Sequence, residues 1–314
     1  MKPIKSFVIL IVPVAFLFVA CKKNGISANA SLNVYVSGNF DTLGQSTGAW
    51  WMNDSLNIVP GTTQLNGVAT AGNNVYLLDN TGWWVNGNYT PLPNVLNTRT
   101  NSIVVNGSNV YITGSTSVSA STATAAEIYW KNGVQVTLSG NIPNVTNAFV
   151  NSVFISGTDV YAAGLLGVNY RDGAGVYWKN DSLVYLPDCY TPEAIGVANG
   201  TVYVAGLSLT HGSAYWVNGT EIPLSGNGYV SAMAISGNDV YIAGFTTGGP
   251  DQAAYWKNGE LVTLPNGSSA TGIVVTGNDV YVCGNGANNN AVYWKNGIIH
   301  ILGTGGATGI ALGH

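Results

Sequence analysis

Through most of the chain, short, mostly apolar runs are interrupted by Gly and Asn, and the same runs keep returning. Val-Tyr, two small or apolar residues and usually Gly recur with the tyrosine at Tyr35, Tyr76, Tyr111, Tyr161, Tyr203, Tyr241 and Tyr281. After each comes an aromatic-Trp-x-Asn-Gly or Asp run, with its tryptophan at Trp51, Trp84, Trp130, Trp178, Trp216, Trp256 and Trp294. The tyrosine steps are 41, 35, 50, 42, 38 and 40 residues, a period at which propeller blades and solenoid coils are built.

Turn chemistry divides each unit into four strands. Around Gly237 the pattern predicts strands over Val230 to Ser236, Val240 to Gly244, Ala253 to Lys257 and Glu260 to Leu264. The Asn258-Gly259 dipeptide between the last two selects a two-residue hairpin, because both central residues need positive φ. Pairing is therefore antiparallel, which argues against a parallel β-helix. Val240 and Ile242 point to one face of their strand, Tyr241 and Ala243 to the other, so both faces are apolar. A small sheet of that kind must be sandwiched between neighbours, and radial stacking achieves this for every copy at once.

The chain ends predict closure. The repeats begin on a second strand, Asn33 to Gly38, and finish with Gly306 to Leu312, which matches the first strand of the preceding unit, Ala270 to Val275. The expected fold is all-β: a seven-bladed β-propeller of four-stranded antiparallel blades over residues 33–314, with the C-terminal strand completing the first blade and protecting the sheet edge.

Composition agrees. Only 8% of residues are charged and 46% are hydrophobic, so most strands are expected to bury both faces. The formal net charge is -4, and no basic cluster lies outside the N-terminus, which excludes a nucleic-acid footprint. Lys2 and Lys5 precede a 14-residue apolar run, Phe7 to Ala20, read as a signal peptide over residues 1–20. Phe18-Val19-Ala20-Cys21 resembles the bacterial lipobox, although Phe18 stands where leucine is usual. The resemblance implies lipidation at Cys21, a tether over residues 21–32, and a lipoprotein anchored in the bacterial envelope, at the outer membrane. Cys189 and Cys283 fall in different repeats and are expected to be free thiols.

The segments TGIVVTGNDVYVCG and SAMAISGNDVYIAG resemble the bacterial seven-bladed β-propeller repeat family over roughly residues 33–314. That likeness implies the architecture and leaves function open. The Tyr-Trp-Lys-Asn-Gly run is closer to repeats of uncharacterised surface lipoproteins, and neither the Trp-Asp of WD repeats nor a consistent Gly-Gly of kelch repeats is present.

Function is expected on the ring face that carries the irregular connections, because variable loops on a rigid scaffold are where binding residues collect. The chain's two arginines, Arg99 and Arg171, fall there, with Tyr170, Asp172, Tyr190, His211 and Asp251; Cys189 is placed there too. Arg grips a carboxylate or sulfate in bidentate fashion, and Tyr stacks on a sugar or peptide group. Asp159, Asp239 and Asp279 read as turn residues bonding backbone amides, and Lys131, Lys179, Lys257 and Lys295 as solvated edge residues. The repeated tryptophans read as core between blades. His211, His300 and His314 lack metal-site spacing, no catalytic set or cofactor motif appears, and the protein is read as a monomer. The reading is a binding or scaffold module for a glycan or an envelope protein. The alternative is a glycan-acting hydrolase or lyase using Asp41, Asp172, Glu193 or Asp251, which would require two carboxylates close together at the axis.

Overall fold

The computed structural model describes residues 32–93, 98–115, 128–138, 147–167 and 173–314. The expected signal peptide, Cys21 and nearly all of the tether lie outside the described residues. The first strands are β1 (Asn33–Thr42), β2 (Gln45–Met52) and β3 (Ser55–Ile58). Next come β4 (Gly67–Ala71), β5 (Asn74–Leu78), β6 (Gly82–Val85) and β7 (Asn88–Pro91), then β8 (Arg99–Asn106), β9 (Asn109–Ser115), β10 (Ile128–Lys131) and β11 (Val134–Thr137). They are followed by β12 (Asn147–Ser156), β13 (Asp159–Gly167), β14 (Ala174–Lys179) and β15 (Ser182–Tyr185), and by β16 (Cys189–Ala198), β17 (Thr201–Ser208), β18 (Gly212–Val217) and β19 (Thr220–Pro223). The chain finishes with β20 (Gly228–Ser236), β21 (Asp239–Thr246), β22 (Gln252–Lys257), β23 (Glu260–Thr263), β24 (Gly267–Thr276), β25 (Asp279–Gly286), β26 (Asn290–Lys295) and β27 (Ile298–Gly313).

These strands form five four-stranded antiparallel meanders, β4–β7, β8–β11, β12–β15, β16–β19 and β20–β23, and one seven-stranded sheet in the order β24-β25-β26-β27-β1-β2-β3. The long sheet is a consequence of β27. Its first residues pair with β26 up to Thr304, opposite Asn290, and from Gly305 onward it pairs with β1, placing Tyr35 opposite Ala311. Gly303 (φ 133°) and Gly305 (φ 127°) make the bend at the changeover, in backbone regions that only glycine enters at low cost. The N-terminal and C-terminal strands thus share a sheet, as the match between chain ends required.

The innermost strands pack side by side in the series β4, β8, β12, β16, β20, β24, with β27 against both β24 and β4, so the series closes on itself. The hydrophobic clusters lie between adjacent sheets: Tyr241, Ala243 and Leu264 of one meander pack on Val282, Val292 and Trp294 of the next. Trp51, Trp130, Trp178, Trp216, Trp256 and Trp294 are fully buried. Several of these indoles also bond across the sheet boundary: Nε1 donates from Trp216 to the Pro187 carbonyl at 2.9 Å, from Trp256 to Ser225 at 2.8 Å and from Trp294 to Pro265 at 2.9 Å. At about 25 cal/mol per Å², an indole that loses about 200 Å² of exposure contributes roughly 5 kcal/mol.

Two expectations need correction. Trp84 is half-buried and leans on Tyr89, ring centroids 4.8 Å apart, while its neighbour Trp83 is buried. The outermost strands do not bury both faces, since every residue of β7 and β23 is exposed. Sheets that radiate from an axis diverge at the rim, and their outer strands have no neighbour to cover them.

The hairpin chemistry holds at Asn258 (φ 52°) and Gly259 (φ 89°). The Asn258 Oδ1 accepts from the Val240 amide at 2.9 Å, and its Nδ2 donates to Asp239 at 2.8 Å. Lys257 Nζ lies 2.9 Å from the same carboxylate and 5.3 Å from the Tyr241 ring centroid. Asp239 is held below the usual carboxylate range, first by the Asn258 amide and then by Lys257. The cluster recurs with Asp159 and Lys179 and with Asp279 and Lys295. These aspartates tie neighbouring hairpins together, and these lysines are paired with them, not merely solvated.

Candidate functional site

The final Gly of the Val-Tyr-x-x-Gly run determines what reaches the axis. At Gly38, Gly114, Gly164, Gly206, Gly244 and Gly284, an added Cβ would strike a backbone carbonyl of the innermost strand, at Gly244 that of Tyr229. The close approach comes from a β-bulge in that strand, where two residues oppose one. The extra residue is Thr308 opposite Gly38, Asn101 opposite Gly114, Asn151 opposite Gly164, Glu193 opposite Gly206, Ser231 opposite Gly244 and Thr271 opposite Gly284. In the second unit Asp79 stands in place of the glycine, the β4–β5 ladder ends with Gly67 opposite Leu78, and Asn66, just before β4, takes the place of the extra residue.

Bulges re-aim side chains, and here they aim polar ones inward. A cavity of about 370 Å³ is lined by Asn66, Asn101, Asn151, Glu193, Ser231 and Thr308, with Gln64 and Arg99. Two residues further along each strand stand Val68, Ile103, Val153, Ile195, Met233, Ile273 and Ile310, which line a second cavity of about 320 Å³ continuous with the first. The axial tunnel therefore has a polar mouth and an apolar throat, with the mouth at the end of the innermost strands away from their tight hairpins.

Hydrogen bonds link the mouth residues into a circuit. Five of the seven side chains at these positions donate to the carbonyl just before the next sheet's extra residue: Asn66 Nδ2 to Thr100 at 3.4 Å, Asn101 Nδ2 to Val150 at 3.0 Å, Asn151 Nδ2 to Pro192 at 2.9 Å, Thr271 Oγ1 to Ala307 at 2.8 Å and Thr308 Oγ1 to Leu65 at 2.8 Å. Asn101 also donates to Asn151 Oδ1 at 3.2 Å, and Asn151 to Glu193 Oε2 at 3.4 Å. Burial pushes the Glu193 carboxyl up to about 7. It is the one acid among the described residues lining the cavity, so the carboxylate pair that a glycosidase requires is not assembled by them.

Of the residues the sequence singled out, Arg99 lines the mouth, as the first residue of β8 and not from a loop. Tyr190 also belongs to a strand, β16, and lines a separate lateral groove of about 470 Å³ with Leu209 and Tyr229. His211 Nδ1 is 2.9 Å from Glu221 Oε1 and 2.8 Å from Thr210 Oγ1. Asp251 is exposed between β21 and β22 and borders neither cavity. Tyr170, Arg171 and Asp172 lie outside the described residues. Cys189 is buried as the first residue of β16 and so is not a loop residue, and Cys283 is buried in β25; both are free thiols. Burial pushes Cys283 up to about 12. Asn66, Asn101 and Asn151 were missed by sequence reasoning, though the glycine opposite each of the last two signals the bulge.

No protein-family model and no curated protein matches the chain. Among solved structures it is similar to the computationally designed protein Ika8, at 13% identity over 87% of this chain and 90% of that one, with a TM-score of 0.51. It is also similar to puromycin hydrolase, at 11% identity over 89% of this chain, with a TM-score of 0.57, and spans 53% of that protein's length. Puromycin hydrolase is a β-propeller-type protein in this region, and the likeness places the chain in the same fold class.

Proposed function

We propose that the protein is a seven-bladed propeller acting as a non-enzymatic binding module, and that the mouth of its axial tunnel takes a hydroxyl-rich ligand, a glycan. The observation that carries the reading is the inward-facing ring of side-chain amides and hydroxyls on successive bulges. Such groups both donate and accept, as a sugar's hydroxyls require, and about 370 Å³ falls within the range of small-molecule sites. Division of the long sheet at Gly303 to Gly305, where β27 changes partner, supports a count of seven four-stranded units. A glycan array probed with the protein, followed by calorimetry and a turnover assay on each hit, tests the function. Binding without turnover is expected; turnover of a bound glycan would move the assignment to a hydrolase or lyase.

The lipobox-like segment supports attachment to a bacterial envelope membrane, and our reading puts the protein at the outer membrane as a monomer. Cys21→Ala is expected to release the protein from the membrane fraction, and a variant that stays membrane-bound refutes the anchor.

A further inference from the structure

The circuit of donors around the mouth is interrupted at one sector. Asn66, Asn101, Asn151, Thr271 and Thr308 each donate to the next sheet's carbonyl. Among the described residues, Glu193 and Ser231 make no such bond. By the repeat of the geometry, the group offered to Glu193 is the carbonyl of Val230, the residue before Ser231. In its ionised form Glu193 sets acceptor against acceptor there. Glu193 already accepts from Asn151 at 3.4 Å, and a contact with the Thr191 hydroxyl lowers its carboxyl against the larger effect of burial; neither partner carries a positive charge. Arg99 lines the same cavity but forms no ion pair with Glu193. The acid therefore has no cationic partner among the described residues, at the place where the ring lacks a donor.

A group with several N–H donors and a positive charge complements two converging acceptors, and a primary ammonium has three such donors on one atom. We infer that the Glu193–Ser231 sector holds a protonated primary amine of the ligand, which makes amino sugars bearing a free amine the class of glycan taken. This rests on the glycan reading above and adds the group that selects among glycans. Glu193 is then the specificity-determining residue, and the remaining ring residues meet hydroxyls.

The test uses three β-1,4-linked tetrasaccharides, of glucose, glucosamine and N-acetylglucosamine, which differ only in the substituent at C2. Calorimetry on the full chain near pH 7 is expected to show the glucosamine oligomer bound at least about tenfold more tightly than either of the others, equivalent to about 1.4 kcal/mol. Glu193→Gln is expected to reduce that preference to within about twofold, and Glu193→Asp, which keeps the charge, to retain part of it. Equal affinity of the native protein for all three would overturn the inference and leave the glycan reading standing. No binding of any of them would overturn both. A preference that survives Glu193→Gln would remove Glu193 as its source.

Discussion

Replacing Glu193 by Gln keeps the side chain's shape and removes the only carboxylate among the described residues of the axial mouth. In the folded protein, burial raises this carboxyl from 4.5 to about 7, and at about 1.36 kcal/mol per pH unit the difference amounts to roughly 3 kcal/mol. Because the folded-state value is the higher one, the native state holds the proton more tightly than the unfolded chain does. Below about pH 4.5 both states are protonated and the acid carries no penalty. The penalty grows as pH rises to about 7 and is complete above it. Relative to Glu193→Gln, the native protein should lose roughly 3 kcal/mol across that window. Urea unfolding followed by tryptophan fluorescence at intervals from about pH 4.5 to 8 measures the difference. Titrations common to both proteins cancel in the difference. A difference that stays flat with pH would show that Glu193 is not buried as described, and would refute the reasoning.

Three further substitutions examine how the ring is built. Gly244→Ala places a methyl against the Tyr229 carbonyl and should cost about 3 kcal/mol or more. Gly237→Ala, at a positive φ of 62° in open space, should cost about 1–2 kcal/mol; equal losses in denaturant unfolding would remove the bulge explanation. Trp256→Phe leaves the Ser225 carbonyl without its indole donor and thins the packing between sheets, and should cost about 2–3 kcal/mol; a loss within about 0.5 kcal/mol would mean the inter-sheet bond is dispensable.

The architecture was legible because each repeat states the same local rules. Asn-Gly at Asn258 and Gly259 defines a hairpin, Trp256 and its counterparts mark the layer between sheets, and the match of Gly306–Leu312 to Ala270–Val275 reveals the shared sheet at the chain ends. The site was less legible. Variable loops drew attention to Tyr190, His211 and Asp251, yet the polar mouth is made by residues inside the innermost strands. Asn101, Asn151 and Glu193 point inward only because a bulge inserts one residue, and a bulge shifts register without altering the apolar pattern around it. Its trace was the glycine opposite, which reads equally well as a small residue in a crowded strand.

The central claim is that ligand enters the axial mouth, and it is tested most directly by measuring one binding glycan's affinity for the native protein, for Asn151→Ala and for Tyr229→Ala in the lateral groove. The account predicts that Asn151→Ala weakens binding at least about tenfold, about 1.4 kcal/mol, while Tyr229→Ala stays within about twofold of native. Loss of binding in Tyr229→Ala with Asn151→Ala unaffected would place the site in the groove and contradict the account.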